Sequence, residues 1–243
     1  MKYIKSILIL IIISDLLRAD NIKLMTEIFP PYQHHDTVNN KLIGISTEIV
    51  QEIQKRVNNT NKIKIYPWAR GMKIVNKKEN IALFSMLRTK ERENKYKWVG
   101  PLSKIQLLFF KKKGSDIVLN SIEDARKVKK IGVTKNVANY DILTSKGFKN
   151  LDVISSGADE KNIKKLVKKR IDLWLALKIS GLYSAKSLGF KGEIVPIDNV
   201  IVFEGNLYIA FNKKTEDKII SKWQKALEEL ELSGTIDKIK ERY

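Results

Sequence analysis

Among the side chains able to do chemistry, Arg92 stands out, in the run Thr89-Lys-Glu-Arg-Glu-Asn-Lys-Tyr-Lys-Trp-Val-Gly-Pro-Leu102 between two stretches that read as packed core. A guanidinium is a rigid fork of donors that meets a carboxylate with two bonds at once, so an arginine fixed beside a cleft suits an acidic small molecule. The other reading is a solvated arginine at a helix start, because charged side chains are mostly exposed. Arg70 and Arg88 are either exposed or add positive potential to the same anion site. Phe29, Tyr32 and Trp68 stand at strand ends, where open α/β sheets bind ligands, and core packing competes with a place in a cleft wall. Trp174 reads as core, or as filler behind such a cleft. His34 and His35 suggest no metal site, since adjacent side chains in an extended segment point apart and no cysteine or acidic cluster accompanies them.

Catalytic patterns are missing. The chain has no Gly-x-Ser-x-Gly elbow, no P-loop, no His-Glu-x-x-His and no cysteine. Glu27, just before Phe29, is the one carboxylate worth testing as an acid or base.

The elements that must position these residues follow from periodicity. Asn21 to Ile28 alternates as a strand and runs into Phe29-Pro30-Pro31-Tyr32, where two prolines end regular pairing. Ile45, Ile49, Val50, Ile53 and Val57 recur at helical spacing after Gly44 and Ser46. A short strand, Lys62 to Tyr66, precedes a helix opened by Pro67-Trp68, and Ile81 to Met86 reads as a buried strand ending near Ser85 and Leu87. This alternation predicts a mostly parallel sheet covered by helices. Leu102 to Phe110 continues as a strand, and the basic run Lys111 to Lys113 with Gly114 reads as a connection between two bodies.

A second set follows: a capping box at Ser121-Ile-Glu-Asp124, strands at Lys130 to Thr134 and Leu151 to Ile154, and helices at Asn136 to Leu143 and Lys161 to Lys169. Ile171 to Leu177 is a strand or buried segment, Asn206 to Phe211 a strand, and helices at Thr215 to Glu231 and Gly234 to Arg242 close the chain.

Lys2 and Lys5, the apolar run Ile7 to Leu17 and Ala19 have the form of a secretory signal peptide, with cleavage expected after Ala19. The run is too short and interrupted for a comfortable span, which needs roughly 20 apolar residues. Formal charge is +19; residues 1–19 hold Lys2, Lys5 and Arg18 against Asp15, so the remainder carries +17. The lysines are scattered through every segment without interleaved stacking aromatics, which reads as a compositional bias with steering of anions as a side effect, and nucleic acid is not the expected partner.

Order and joints together resemble the extracytoplasmic solute-binding proteins of family 3, which serve amino-acid ABC importers. The matching residues are Phe29-Pro30-Pro31-Tyr32, Gly44 before its amphipathic helix, Ser85, Thr89-Lys-Glu-Arg92 with Trp98-Val-Gly-Pro101, Ser121-Ile-Glu-Asp124 before Ile131-Gly132-Val133, Arg170-Ile171-Asp172, and the closing helices with Gly234. The resemblance implies an α/β, two-lobed periplasmic-binding-protein fold of type II, with two hinge strands and a ligand clamped as the lobes close. Residues 20–108 with 209–243 would form lobe one and 109–208 lobe two. Phe29 and Tyr32 would be cleft-wall aromatics, Ser85 and the backbone near Leu87 would donate to the ligand, and Arg92 would grip its carboxylate. Asn136, Val137 and Ala138 would offer backbone N–H groups from a helix start.

Where amino-acid binders of this kind carry an acid for the ligand's ammonium, the chain reads Leu173-Trp174-Leu175-Ala176-Leu177-Lys178, which puts an ordinary α-amino acid in question. Asn136 and Val137 replace an expected glycine and threonine, and Arg88 replaces a small or apolar residue. The expected protein is a periplasmic or secreted monomer without cofactor that binds a small anionic or amino-acid-like ligand for an ABC permease. A dehydratase-like enzyme on the same fold and a free sensory domain are the alternatives.

Overall fold

The computed structural model describes residues 21–135, 138–154 and 158–243, so the expected signal peptide lies outside the described residues, as do Asn136 and Val137. The chain divides into two compact units. The first comprises the described residues through Ile28, His35–Leu102 and Tyr208–Arg242; the second comprises Phe29–His34, Ser103–Leu207 and Tyr243. Two long strands, β6 (Tyr96–Lys112) and β10 (Ile194–Asn212), pass from one unit into the other. Residues 29–34 group with the second unit although the chain on both sides of them belongs to the first.

In the first unit β1 (Lys23–Thr26) lies parallel to β4 (Lys64–Ile65) on one side and to β5 (Ile81–Leu87) on the other. Helix α1 (Ile45–Val57) buries Ile45, Ile49, Val50, Ile53 and Val57, as its spacing demands, and stops at Asn58, whose φ of 58° is the left-handed cap that asparagine tolerates. Helix α2 (Trp68–Lys77) starts at Pro67, whose ring presets the backbone of a helix start. Gly71 lets α2 approach β5, since a Cβ there would stand only 3.3 Å from Leu83. Met25, Val75, Ile81, Leu83, Met86 and Tyr96 form the core between them, with Trp68 and Trp98 packed at its rim. A two-stranded hairpin of β2 (His34–His35) and β3 (Leu42–Ile43) and the C-terminal helices α6 (Asp217–Leu232) and α7 (Thr235–Lys240) complete the elements that begin or end here.

The second unit orders its strands β6, β9 (Leu173–Leu177), β7 (Ile131–Thr134) and β8 (Leu151–Ile154), with β7 parallel to both neighbours and β6 antiparallel to β9. β9 and the Leu107–Phe110 part of β6 are apolar on both faces because both faces are covered. Leu107, Phe109, Leu173 and Leu175 point into one cluster, while Leu108, Phe110, Trp174 and Ala176 point into the other. Trp174 is therefore core, stacked on Phe110 at 5.3 Å.

Helices α3 (Ala138–Ser145) and α4 (Ala158–Val167) follow β7 and β8. The Ser121–Asp124 box forms, with the Ser121 hydroxyl and the Asp124 backbone N–H joined at 3.3 Å, but it heads a 3-10 turn, Glu123–Lys127, and not a longer helix. Helix α5 (Lys178–Ser187) is not predicted by the spacing of its apolar residues. Its sequence, Lys-Ile-Ser-Gly-Leu-Tyr-Ser-Ala-Lys-Ser, has no apolar stripe because Gly181 sits directly on the Phe110 and Trp174 rings. Among the described residues no helix is long and apolar enough to cross a membrane.

Candidate functional site

The arginines separate by what already holds them. After β5 the chain turns back at Thr89, whose carbonyl accepts the backbone N–H groups of Arg92 (3.0 Å) and Glu93 (2.9 Å). This turn brings Arg92 Nη1 to the Leu87 carbonyl at 3.1 Å, and sets its guanidinium 5.8 Å from the Trp68 ring centre. Arg92 is half-buried and forms no ion pair among the described residues. A guanidinium has five N–H donors, so most of this fork remains available to a carboxylate.

Arg88 is different. Its Nε and Nη2 both donate to the Glu93 carboxylate, the first at 2.7 Å, and the guanidinium lies over Trp98 and Tyr208 at 5.6 and 5.2 Å. Glu93 raises the basicity of Arg88, and Arg88 in turn holds the Glu93 carboxyl below its ordinary range. Trp98 Nε1 also donates to the Glu93 carbonyl at 3.1 Å, while the Arg88–Glu93 pair itself stays exposed. Arg70 is exposed, 4.8 Å over the Tyr66 ring.

Ser85 lies in β5, 7% exposed, with φ of 60°. A left-handed non-glycine residue costs roughly 1–2 kcal/mol, and such strain is found where a backbone must present a group to a ligand. Leu87 is half-buried, and its carbonyl is the acceptor that orients Arg92. Tyr96, 3% exposed, donates its hydroxyl to Asn76 Oδ1 at 2.6 Å; burial pushes the phenol up against the opposing pull of Arg92. Ser85, Leu87, Arg92, Trp68 and the Tyr96–Trp98 ring pair (5.5 Å) thus belong to one unit, close to the end of one strand.

The remaining candidates lie in the other unit. Phe29 is half-buried and packs 4.9 Å from Tyr32. Tyr32 is wholly buried and hydrogen-bonded with Ser103, and burial drives its phenol well above the ordinary value, so it packs as core and offers no exposed wall. The segment is held from α5, where Ser180 Oγ donates to the Pro30 carbonyl at 2.9 Å and the Tyr183 hydroxyl meets His34 Nε2 at 2.9 Å. His34 is buried and His35 exposed, so the two imidazoles diverge. Ala138 opens α3, whose start is pinned to β9 by Asn139 Nδ2 donating to the Leu175 carbonyl at 3.1 Å.

Two carboxylates carry environments that the sequence does not display. Glu27, half-buried in the first unit, has its carboxyl pushed up by burial. Asp159, in the first turn of α4, accepts a bond from Ser184 Oγ at 3.0 Å, and burial again pushes its carboxyl up. Asp159 forms no ion pair among the described residues. The apolar spacing predicts this helix only from Lys161, which leaves Asp159 outside it; the α4–α5 packing reveals it.

Comparison with known proteins shows the family and the fold. The family model described as bacterial extracellular solute-binding proteins, family 3, matches residues 22–243. The L-cystine-binding protein TcyA of Bacillus subtilis is 24% identical over 221 residues, covering 88% of this chain and 77% of TcyA. Among solved structures, the probable amino-acid ABC transporter extracellular-binding protein ytmK from Bacillus subtilis superposes with a TM-score of 0.75 at 19% identity, covering 91% of this chain and 96% of its own. A histidine kinase sensor domain with similarity to periplasmic binding proteins gives 0.71 at 16% identity, covering 93% and 96%. The fold is that of the periplasmic binding proteins.

Proposed function

Since the chain belongs to the bacterial extracellular solute-binding proteins, family 3, we propose that it captures a small carboxylate-bearing, amino-acid-like solute outside the cytoplasm for an ABC-type importer. The observation that carries this reading is Arg92: half-buried, oriented by the Leu87 carbonyl, and without a carboxylate of its own, whereas Glu93 occupies Arg88. A partly desolvated cation with open donors gains most from an incoming carboxylate, because a charge-assisted bond is about twice as strong as a neutral one. Trp68 supplies an apolar edge beside it, and Ser85 a strained backbone for the ligand's polar groups.

The Leu177–Lys178 junction offers no acid for a ligand ammonium, and the Lys178 side chain is paired with Asp198 at 2.9 Å. Asp159 takes that role in our reading, since it is a partly buried carboxylate with no cation. The enzyme alternative has Glu27 alone to rest on, and a bound ligand recovered unaltered after long incubation rejects it.

A thermal-shift screen of amino acids, dicarboxylates and short peptides tests the proposal, because a solute that binds only the folded state raises the melting temperature by mass action. At least one α-carboxylate compound is expected to shift it at micromolar to millimolar concentration. A screen in which only uncharged sugars or cations do so refutes it.

A further inference from the structure

We infer that one edge of the second unit is an electrostatic docking surface for an anionic lipid bilayer. Strands β7, β8 and β9 are parallel and begin at the same edge, and β6, antiparallel to β9, ends there. Lys129 and Lys130 precede β7, Lys149 precedes β8, the Lys-Lys-Arg run at 168–170 precedes β9, Lys113 follows β6 and Lys191 precedes β10. Backbone bonds stitch these ends together: Asp172 N–H to the Lys130 carbonyl at 2.9 Å, Ile131 N–H to the Asn150 carbonyl at 2.9 Å, and Lys113 N–H to the Glu193 carbonyl at 2.8 Å. Segments far apart in the chain thereby gather eight cations, all exposed, and none of them is in an ion pair among the described residues.

Three carboxylates share the edge. Asp172 is occupied by the Lys130 N–H at 2.8 Å, and Glu193 and Asp116 are exposed. The neighbouring Lys127 and Arg126 add nothing, being paired with Asp124 and Glu123. The chemistry of the patch selects its partner. Seven of the eight cations are lysines, point charges without the planar fork that reads a single phosphate. Phe148 is buried and Phe190 half-buried, so the edge presents no stacking platform for nucleic-acid bases. Five strand ends spaced about 4.8 Å apart spread these charges over roughly 20 Å, about twice the Debye length at 0.1 M salt. A broad array of unpaired ammonium groups suits the diffuse negative charge of lipid headgroups, and each cation contributes roughly fivefold to partitioning. The opposite ends of β7 and β8, where α3 and Asp159 follow, stay clear of a bilayer held at this edge.

Vesicle co-sedimentation of the purified protein tests the assignment, with 30 mol% phosphatidylglycerol in phosphatidylcholine against phosphatidylcholine alone. At 0.1 M salt we expect binding to the anionic vesicles only, weakening steeply as salt rises. The variant Lys130→Gln/Lys149→Gln/Lys169→Gln/Arg170→Gln should lose at least tenfold in partitioning. Removing the same charge elsewhere, with Lys73→Gln/Lys77→Gln/Lys78→Gln/Lys225→Gln, should cost no more than about twofold, and thermal melting checks that both variants fold. Equal losses in the two variants would reduce the effect to net charge and overturn the surface. So would absence of binding to anionic vesicles, or a single-stranded oligonucleotide that binds the same edge more tightly than the vesicles do.

Discussion

Replacing Arg92 by alanine should weaken binding of the tightest carboxylate ligand by roughly 150-fold. One of the five donors is spent on the Leu87 carbonyl, and the remaining fork can make two bonds to a carboxylate. A bond to a charged group is worth about 1.5–3 kcal/mol. Half-burial argues for the lower figure, so two bonds amount to about 3 kcal/mol, or roughly 150-fold at 25 °C. Arg92→Lys keeps the charge but not the fork, and should fall between, near tenfold. Arg88→Ala is the internal control: its fork is filled by Glu93, so binding should change no more than about threefold. Isothermal titration calorimetry reads all three. The lost Leu87 bond and Trp68 contact should cost Arg92→Ala about 1 kcal/mol of stability, separable from affinity by its melting curve. If Arg92→Ala binds within threefold of the parent, or Arg88→Ala loses as much, the carboxylate anchor is misassigned.

Other substitutions probe the rest of the arrangement. Ser85→Gly should stabilise the fold by up to about 1 kcal/mol in denaturant melts by relieving its left-handed φ, while binding weakens if the hydroxyl contacts the ligand. Asp159→Asn should weaken amino acids at least tenfold and leave their desamino analogues unchanged, as competition titrations would show. Burial raises the Glu27 carboxyl above its ordinary 4.5, so its contribution to stability is complete below that value and is lost as pH rises through the raised one. Glu27→Gln should accordingly raise the melting temperature at pH 8 and change it little at pH 4. Gly181→Val should destabilise by about 1–3 kcal/mol, because even a Cβ there meets the Phe110 ring at 2.7 Å.

Element order was legible in the residues because helical and strand periods are local. The spacing of Ile45 through Val57 specifies α1, and the unbroken apolar run near Leu107–Phe110 requires cover on both faces. The joints at Pro67, Ser85 and Arg92 were visible for the same reason, and with them the family. Helix α5 was not, since its contact surface is a glycine against two rings contributed by other strands. The sequence leaves Tyr32 open between core and cleft wall, and its complete burial makes it core. Nor could the chain reveal which arginine is occupied: Arg88 and Arg92 lie four residues apart, and the fold of one turn gives Glu93 to the first and a carbonyl to the second. Five of the many lysines, at 129, 130, 149, 168 and 169, come together at one edge because parallel strands align their starting residues. Local chemistry thus determined the elements and their order, while strand pairing and turn geometry, which join residues distant in sequence, decided which charges are neutralised and which remain for a partner.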